Sequence, residues 1–334
     1  MKIFITGAAG FLGSHLADRM LELGHSVVGV DNMVGGFIEN VNKKVEFYEA
    51  DCIDLEKMTE LMKGCDVVFH GACTAHDGFS LFSPHYITQN TFQITMSVLT
   101  AAARNRVKKF IYCSSMARYG KQEKIPYTED MECLPTTPYG VAKYASEMVV
   151  RQICELSDIK YAIIVPHNII GPRQNYTDPF RNVAAIMINR MLQGKQPIIY
   201  GDGEQKRTFS FSSDCIDCIE KIIEEDNTSG EIINIGPDEE FVTVNYIANE
   251  LADIMNFDLN PIYVKDRPKE VKYAMCSSDK ARKLLGYSTK VTLREGLEQM
   301  VEYIKTLGPK DFRYNYPIEI NNEHTPETWK NKLI

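Results

Sequence analysis

The sequence lacks the features that mark nucleic-acid-binding, membrane and secreted proteins. Its 37 Lys and Arg residues are outnumbered by 45 Asp and Glu, so the net charge is -8 and no broad basic surface is expected. No apolar run is long enough to span a bilayer, and the opening MKIFITGAAG contains no charged-then-apolar leader. An odd number of cysteines, nine, then favours a reducing compartment, and we expect a cytoplasmic protein that binds neither nucleic acid nor membrane.

A metal centre is not expected either. Cys215 and Cys218 form a C-x-x-C motif within SDCIDCIEKII, but no second cysteine pair and no histidine pair lies nearby. The segment has the pattern of an amphipathic helix, so we interpret both cysteines as small apolar residues on a helix face. The chain also shows no internal repeat and no low-complexity tract.

What the chain does contain is an alternation of apolar runs and helical stretches through its first half. The runs are KIFITG, SVVGVD, VEFYEAD, DVVFHGA, KKFIYCSS and KYAIIVP, and the intervening helices are predicted at about 11–23, 55–62, 91–105 and 139–156. Continuous Val, Ile and Phe runs between helices are typical of a parallel sheet covered on both faces. They predict an α/β fold with a Rossmann-type doubly wound sheet.

The alternation stops after about Pro166, where segments rich in Gly, Pro and polar residues begin. We therefore predict an NAD-binding domain over 1–167 and a smaller C-terminal α/β substrate domain over most of 168–334. The segment 210–236, which includes the strand-like EIINIG, is predicted to return to the first domain. The tail from Gly308 is polar and weakly patterned.

The first motif is a glycine-rich turn between the first strand and the first helix. Gly7, Gly10 and Gly13 allow a tight turn and a close approach to a pyrophosphate, whose charge the helix N-terminus favours. Asp31 ends the second strand, where its carboxylate can accept hydrogen bonds from ribose hydroxyls and repel a 2′-phosphate. The following NMVGG offers no Arg or Lys to hold such a phosphate, so NAD is favoured over NADP. Asp51 is interpreted either as an adenine contact or as the N-cap of the LEKMTELM helix.

The second motif is PTTPYGVAK, which places Tyr139 and Lys143 one helical turn apart. A neighbouring ammonium and the positive ring of oxidised nicotinamide favour the phenolate, so we expect a lowered tyrosine pKa and a general base. Ser114 and Ser115 end a buried strand, where such sheets bind ligands, and can hydrogen-bond the substrate oxygen. Taken alone, a Tyr and a Lys at this spacing also occur as a helix-surface pair.

These motifs together resemble the extended short-chain dehydrogenase/reductase family, in particular its nucleotide-sugar epimerases and dehydratases. The resemblance runs over roughly residues 1–305. It is carried by the glycine motif at 7–13, VDN at 30–32, VFHGA at 68–72, Asn90, CSSMARYG at 113–120, PYGVAK, HNIIGPRQ at 167–174, YGDGEQKRTF at 200–209, DRP at 266–268 and DKARKLLG at 279–286.

The resemblance implies a set of functional residues. The catalytic group is Ser115, Tyr139 as base and Lys143 as its partner. The implied NAD contacts are Gly7, Gly10, Phe11, Leu12, Gly13, Asp31, Asn32, Asp51, Cys52, Ala72, Asn90, Tyr139, Lys143 and His167. The implied contacts to a nucleotide-diphosphate sugar are Ser115, Met116, Asn168, Arg207 and Arg267, of which the two arginines suit phosphate oxygens. Either arginine can also be read as a solvated surface charge. The helices at about 91–105 and 139–156 resemble those that form the family's dimer through a four-helix bundle.

Several positions depart from the family pattern. Met116 and Ala117 stand where dehydratases and decarboxylases carry acidic residues, which argues against elimination. Arg118 replaces a small apolar residue and is expected either to reach the substrate or to lie in solvent. His167 is interpreted as packing against the cofactor, although it could act on the substrate. Of the other histidines, His70 is interpreted as a hydrogen-bonded core residue, whereas His76 and His85 stay open.

Three functions follow from this pattern. The first is an epimerase that oxidises carbon 4 of a nucleotide sugar with NAD and returns the hydride to the opposite face. The second is a dehydrogenase of a hexose or heptose that releases the 4-keto sugar. The third is a nucleotide-sensing protein without catalysis, which the joint presence of Ser115, Tyr139 and Lys143 disfavours.

Overall fold

The computed structural model describes all 334 residues and contains a seven-stranded parallel sheet. The strands of the chain are β1 Lys2–Thr6, β2 Ser26–Asp31, β3 Glu46–Glu49, β4 Val67–His70, β5 Lys109–Cys113, β6 Lys160–Pro166, β7 Ile169–Ile170, β8 Ile198–Tyr200, β9 Lys206–Arg207, β10 Ser210–Phe211, β11 Ile232–Ile235, β12 Val242–Thr243, β13 Ile262–Val264 and β14 Tyr273–Ala274. The large sheet has the order β11-β6-β5-β4-β1-β2-β3. The predicted Rossmann-type α/β fold is confirmed.

Eleven α-helices accompany the strands. They are α1 Phe11–Glu22, α2 Leu55–Leu61, α3 Pro84–Thr88, α4 Ile94–Asn105, α5 Pro138–Leu156, α6 Val183–Leu192, α7 Ser212–Glu224, α8 Val244–Met255, α9 Asp279–Leu285, α10 Leu293–Leu307 and α11 Glu327–Lys330. Short 3-10 turns occupy Ile38–Asn40, Gly78–Leu81 and Met116–Arg118. None of the helices combines the length and the apolar character that a membrane span requires.

The continuous apolar runs arise because both faces of the large sheet are covered. Along β1, Phe4 packs into a core with α2, α4 and α5, whereas its neighbours Ile3 and Ile5 pack into a second core with α1, α7 and α9. Successive side chains of a strand point to opposite faces, so a sheet buried on both sides needs apolar residues at every position. Cys215 and Cys218 lie in the second core as buried free thiols, in agreement with their interpretation as small apolar residues.

The long helix predicted at about 91–105 corresponds to α4, and its first predicted residues belong to a π-helical segment. A π-helical segment, Gln89–Gln93, separates α3 from α4, and Asn90 within it has non-helical dihedrals (φ -83°, ψ 17°). A π segment widens one turn of the helix, and such segments are frequent at functional sites. The sequence pattern predicted neither α3 nor the π segment before α4.

A third core belongs to the C-terminal half of the chain. It is built from α6, α8 and α10, with the short strand pairs β7–β10 and β8–β13 and the three-stranded sheet β12-β9-β14 beside it. The chain then returns to the large sheet: α7 packs on α1, and β11 pairs in parallel with β6. These contacts support the proposed division near residue 167 with a returning segment at 210–236, and that division stays a proposal.

Candidate active site

A cavity of about 600 Å³ opens at the carboxyl ends of the strands of the large sheet. Its lining comes from the loops after β1, β2, β4 and β5 and from C-terminal segments that include the loop 173–182. In open parallel sheets this edge is the usual place for a ligand. The cavity therefore has contributions from both halves of the chain.

The glycine turn forms one end of this cavity. Gly7 has φ of 75°, which favours glycine, and a Cβ on Gly13 would lie 2.1 Å from the Gly7 carbonyl oxygen, so only glycine permits the helix to approach the strand this closely. Gly10 is the N-cap of α1 and makes no side-chain cap bond, and the first turn of α1 carries no acidic residue. The first N–H groups of this helix therefore suit a pyrophosphate.

Asp31 ends β2 beside the turn, as predicted. Its Oδ2 accepts a hydrogen bond from the Ala9 N–H (3.1 Å) and its Oδ1 accepts one from the Met33 N–H (2.9 Å). Burial raises the pKa of Asp31, and these backbone hydrogen bonds act in the opposite direction. The carboxylate lines the cavity at the place where the ribose of a dinucleotide would lie.

Asp51 does not cap α2. The N-cap is Asp54, whose Oδ1 accepts a hydrogen bond from the Lys57 N–H at 2.9 Å. Asp51 instead accepts a 3.3 Å hydrogen bond from the Asn32 amide, and both residues line the cavity. Of the two interpretations left open by the sequence, the helix cap is wrong, and the adenine contact stays a prediction.

The other expected cofactor residues also border the cavity, with one exception. Phe11, Leu12, Cys52, Ala72, Asn90, Tyr139 and Lys143 all line it. His167 does not: its buried ring contacts Thr208 Oγ1 (3.0 Å) and Cys276 Sγ (2.9 Å), and burial lowers its pKa to about 3. The structure thus corrects the expectation that His167 packs against the cofactor, because the ring turns inward from the strand end.

Ser115, Tyr139 and Lys143 lie together in the cavity wall. Tyr139 is in the first turn of α5, where Pro138 follows the N-cap Thr137 and the Thr137 hydroxyl accepts a hydrogen bond from the Gly140 N–H (3.1 Å). Lys143 donates a 2.7 Å hydrogen bond to the Cys113 carbonyl at the end of β5, and its Nζ lies 5.9 Å from the centre of the Tyr139 ring.

Taken together, the protein's own groups do not lower the pKa of Tyr139. Burial raises it, and the nearby Cys73 thiol raises it further, whereas Lys143, Arg181 and hydrogen bonding with Ser115 act to lower it. The protein's own groups therefore give a net upward direction, and the expected lowering by Lys143 together with oxidised nicotinamide stays a prediction. The sequence could not show how deeply the phenol is buried.

Lys143 stays protonated in this surrounding. Burial opposes its positive charge, but the thiol and phenol groups of Cys73, Tyr112 and Tyr139 favour that charge and raise the pKa of Lys143 well above its usual value. The ammonium also lies 5.0 Å from the centre of the Tyr112 ring. A fixed positive charge therefore stands beside the base.

The two expected phosphate-binding arginines reach the same part of the cavity. Arg207 Nη2 lies 2.9 Å from Glu270 Oε1, and Arg267 Nη2 lies 2.7 Å from Glu270 Oε2, so one carboxylate holds both guanidinium groups. Neither arginine is a solvated surface charge. Asn168 also lines the cavity, and its amide donates to the Thr208 carbonyl at 3.0 Å.

Met116 and Arg118 do not line the cavity. Met116 packs against the core that covers one face of the sheet, which contradicts its expected contact with the substrate. Arg118 is 2% exposed and forms an ion pair with the fully buried Glu147 of α5 (Nε to Oε1, 2.9 Å). Neither interpretation made for Arg118, substrate contact or solvent exposure, is correct.

The structure places His70, His76 and His85 in three different surroundings. His70 is a hydrogen-bonded core residue, as predicted, with ring nitrogens 2.7 Å from Thr6 Oγ1 and 3.0 Å from Thr95 Oγ1. His76 is buried, lines the cavity and lies with Nε2 2.7 Å from Asp178 Oδ2. His85 is exposed to solvent.

Sequence reasoning missed several residues that line the cavity. They are Cys73, Arg181, and three from the tail, Tyr316, Trp329 and Ile334. Cys73 was detectable, since it directly follows VFHGA at the end of β4. The tail residues gave no signal, because their spacing follows neither a helix nor a strand period.

Comparison with known proteins agrees with this geometry. Residues 3–236 match the model of the NAD dependent epimerase/dehydratase family, so the chain belongs to that family. It is an NAD-dependent enzyme of the extended short-chain dehydrogenase/reductase type.

Three relatives illustrate the similarity. A putative UDP-glucose 4-epimerase of Methanocaldococcus jannaschii is 32% identical over 305 residues, which are 91% of this chain and 98% of the relative. The crystal structure of UDP-glucose 4-epimerase from Thermotoga maritima, with UDP-glucose, has a TM-score of 0.88 and 33% identity and covers 92% of this chain and 99% of its own. UDP-glucuronic acid 4-epimerase from Bacillus cereus, with UDP-glucuronic acid and NAD, has a TM-score of 0.86 and 31% identity and covers 92% and 100%.

Proposed function

We propose that this protein is an NAD-dependent 4-epimerase of a UDP-linked sugar. The observation that carries the proposal is the placement of Ser115, Tyr139 and Lys143 in one cavity with the glycine turn and the arginine pair. The relatives described above are UDP-sugar 4-epimerases by name, and this supports the choice of uridine.

In this proposal the two ends of the cavity hold different parts of the substrate. Arg207 and Arg267 bind the diphosphate, which replaces the carboxylate of Glu270 as their partner. Asn168 lines the cavity nearby and contacts the substrate on the same side. The sugar then extends toward Tyr139 with its carbon 4 hydroxyl near the phenol and Ser115.

Tyr139 acts as the general base for the hydroxyl on carbon 4, and Ser115 donates a hydrogen bond that orients the substrate oxygen. NAD, when bound, supplies the hydride acceptor and donor. Lys143 keeps a positive charge beside the phenol and so favours its anionic form. The flat ketone then rotates within the site and takes the hydride back on its opposite face, while Tyr139 returns the proton to the oxygen. The cycle is therefore redox-neutral.

The experiment is to incubate the holoenzyme with UDP-glucose, UDP-N-acetylglucosamine and UDP-glucuronic acid and to follow the sugar by proton NMR and NADH by absorbance. We expect a stereoisomer at carbon 4 and no net NADH. A ketone with one equivalent of NADH would instead make the protein a 4-dehydrogenase, and no change with any sugar would overturn the enzyme proposal for these substrates.

Two variants sharpen this experiment. Tyr139→Phe removes only the phenolic oxygen and should reduce turnover by at least about a hundredfold, the lower range for loss of a general base. Tyr161→Phe is the matched control, because Tyr161 lies in β6, away from the cavity lining, with its hydroxyl on Glu155 (3.1 Å). Turnover by Tyr139→Phe at the control's rate would exclude the phenol as base.

We also propose a homodimer formed through a four-helix bundle of α4 and α5 from each copy. Val141 and Met148 are seven residues apart on α5 and about half exposed, and Leu156 at its end is largely exposed. This apolar stripe supports a helix-to-helix interface. Met148→Glu should shift the protein from dimer to monomer in analytical ultracentrifugation, and an unchanged mass would place the interface elsewhere.

A cytoplasmic location is proposed as well. All nine cysteines are free thiols, which suits a reducing compartment. Fractionation of the producing cells tests this, and recovery outside the cytoplasm would refute it.

A further inference from the structure

The C-terminal segment 308–334 crosses the cavity and contacts both halves of the chain. On one side, the Lys310 N–H donates to Asn189 Oδ1 of α6 at 3.1 Å. On the other side, the Glu319 and Ile320 N–H groups lie 2.8 and 2.9 Å from the Phe82 carbonyl oxygen. These bonds hold the segment at two places, on α6 and on Phe82 directly after the 3-10 turn Gly78–Leu81.

Further polar contacts fix the two ends of the crossing. The Glu319 carboxylate accepts hydrogen bonds from the His85 and Tyr86 N–H groups at the start of α3, at 2.9 and 3.0 Å. Near the chain end, Tyr200 and Thr328 share a 2.6 Å hydrogen bond between their hydroxyls. A segment held by such bonds presents its side chains to the cavity in a defined arrangement.

Two of the three side chains that it presents to the cavity, Tyr316 and Trp329, are aromatic, and the third is Ile334. We use the name aromatic wall for Phe79, Phe180, Tyr316 and Trp329. Ring centres in the wall are 4.2 Å apart for Phe79 and Phe180, 5.5 Å for Phe180 and Trp329, and 6.0 Å for Phe180 and Tyr316. Tyr139 belongs to the same buried apolar cluster.

Tyr316 lies between the loop that follows Asp31 and the buried ring of His76. A Cβ on Gly35, in the loop after Asp31, would lie 3.5 Å from the Tyr316 hydroxyl oxygen. On the other side, the Tyr316 ring centre is 4.5 Å from that of His76, whose Nδ1 is buried without a hydrogen-bond partner. The ring therefore fills space between the loop after Asp31, where the ribose of the dinucleotide would lie, and the His76–Asp178 pair.

The position of this wall has a consequence for the sugar. If Tyr139 takes the proton on carbon 4, as in the proposed function on which this inference rests, the adjacent carbon 5 lies next to the cluster that Tyr139 shares with the wall. The diphosphate on carbon 1 points toward Arg207 and Arg267, and the Tyr200 ring lies between Arg267 (5.0 Å from its guanidinium carbon) and Trp329 (6.4 Å between ring centres). Among hexoses and pentoses the group on carbon 5 varies most in size, so the wall meets the variable part of the substrate.

We propose that Tyr316 and Trp329 are specificity-determining residues that limit the substrate to nucleotide-diphosphate sugars with a compact group on carbon 5. The chain thus uses its last 27 residues, 308–334, to complete the sugar end of the site. Both rings line the cavity and both are held from outside it by the contacts of the same segment.

The test compares three substrates that differ only in an uncharged group on carbon 5 of the sugar: UDP-xylose, UDP-glucose and UDP-6-azido-6-deoxyglucose. One methylene in a hydrophobic pocket changes kcat/KM by about 10- to 200-fold. Truncation of a side chain in the aromatic wall should therefore change kcat/KM measurably. We expect Tyr316→Ala to raise the kcat/KM ratio of the azido sugar to UDP-xylose by about tenfold or more. Tyr316→Leu, which keeps part of the apolar volume and the fold, should give a smaller rise in the same direction.

Two controls define the outcome. Tyr316→Phe keeps the ring and should keep the wild-type ratio, and Phe312→Ala truncates an aromatic of the same segment that does not line the cavity and should keep it too. An equal change of kcat/KM for all three sugars in Tyr316→Ala and Tyr316→Leu, or no change, would overturn the proposal.

The same variants are also titrated with the three sugars by calorimetry on the holoenzyme. Calorimetry separates the test of the aromatic wall from the test of the proposed function, because binding does not require turnover. If the wild type binds the sugars without converting them, the epimerase proposal fails, and the ratio of Kd values still tests the wall. An unchanged Kd ratio in Tyr316→Ala, together with unchanged kcat/KM ratios, refutes the wall alone.

Discussion

Replacement of Arg118 by Met should destabilise the folded protein by about 3–5 kcal/mol, the range observed when one partner of a buried ion pair is removed. Arg118 is 2% exposed and Glu147 is 0% exposed, and the guanidinium Nε lies 2.9 Å from one carboxylate oxygen and 3.0 Å from the other. The Ser114 hydroxyl donates to the same carboxylate. Without Arg118, buried Glu147 keeps one direct hydrogen-bond partner, the neutral Ser114 hydroxyl, and the more distant charge of Arg151.

The loss should depend on pH. Burial raises the pKa of Glu147 in the folded protein, and Arg118 acts against this, so the variant raises it further. A carboxyl whose pKa is higher in the folded than in the unfolded state binds more protons when folded, and stability then falls as the pH rises between the two values. The difference between wild type and Arg118→Met should therefore shrink as the pH is lowered from 8 toward 5.

Urea unfolding followed by the fluorescence of Trp329, the one tryptophan, measures both effects in the same cofactor state. Arg104→Met is the matched control, because Arg104 forms a comparably short pair with Glu56 (2.7 Å) that is exposed, and its loss should cost less than about 1 kcal/mol. The double replacement of Arg118 by Met and Glu147 by Gln should recover much of the stability. If Arg118→Met costs no more than Arg104→Met, or its cost does not fall with pH, the argument is wrong.

Three further predictions concern other parts of the molecule. Lys109→Met removes an ammonium that donates to the carbonyls of residues 222, 223 and 225 at 2.7–2.9 Å, and should lower the urea midpoint by at least the equivalent of about 1.5–3 kcal/mol; an unchanged midpoint contradicts this. Arg207→Met should raise KM about 10- to 100-fold with kcat nearly unchanged, since the diphosphate is remote from the reacting carbon; a fall in kcat alone would reassign the residue. Asp31→Asn should reduce the preference for NAD over NADP by about tenfold in cofactor titrations, and a retained preference would place discrimination elsewhere.

The parts of the site that the sequence revealed are those that depend on short spacings. The glycine turn, Asp31 at a strand end and the Tyr139–Lys143 pair one helical turn apart are each specified within a single β-α unit or helix. Their geometry follows from local rules, and their meeting at one edge follows from the parallel sheet. For this reason the prediction of the fold and the family was correct.

The parts that the sequence did not reveal depend on contacts between distant residues. Arg118 finds Glu147 29 residues away on another helix, and no local pattern links the two. His167 turns inward onto Cys276, more than a hundred residues later. The aromatic wall combines residues 79 and 180 with the tail, whose irregular spacing carries no period. Tertiary packing alone decides such contacts.

The pKa of Tyr139 shows how such packing changes the chemistry. A phenol whose pKa is raised by burial is protonated at neutral pH and is not by itself a base. Lys143 cannot reverse this alone, since its ammonium is 5.9 Å from the ring centre and is hydrogen-bonded to the Cys113 carbonyl. Arg181 also acts to lower this pKa, yet the net direction stays upward, so a further positive charge near the phenol is required. Oxidised nicotinamide would supply that charge when bound, whereas its reduced form would not. With oxidised cofactor bound, the phenolate would therefore be available when the carbon 4 hydroxyl loses its proton. With reduced cofactor, the phenol would hold that proton until it is returned to the same oxygen, as a redox-neutral epimerisation requires.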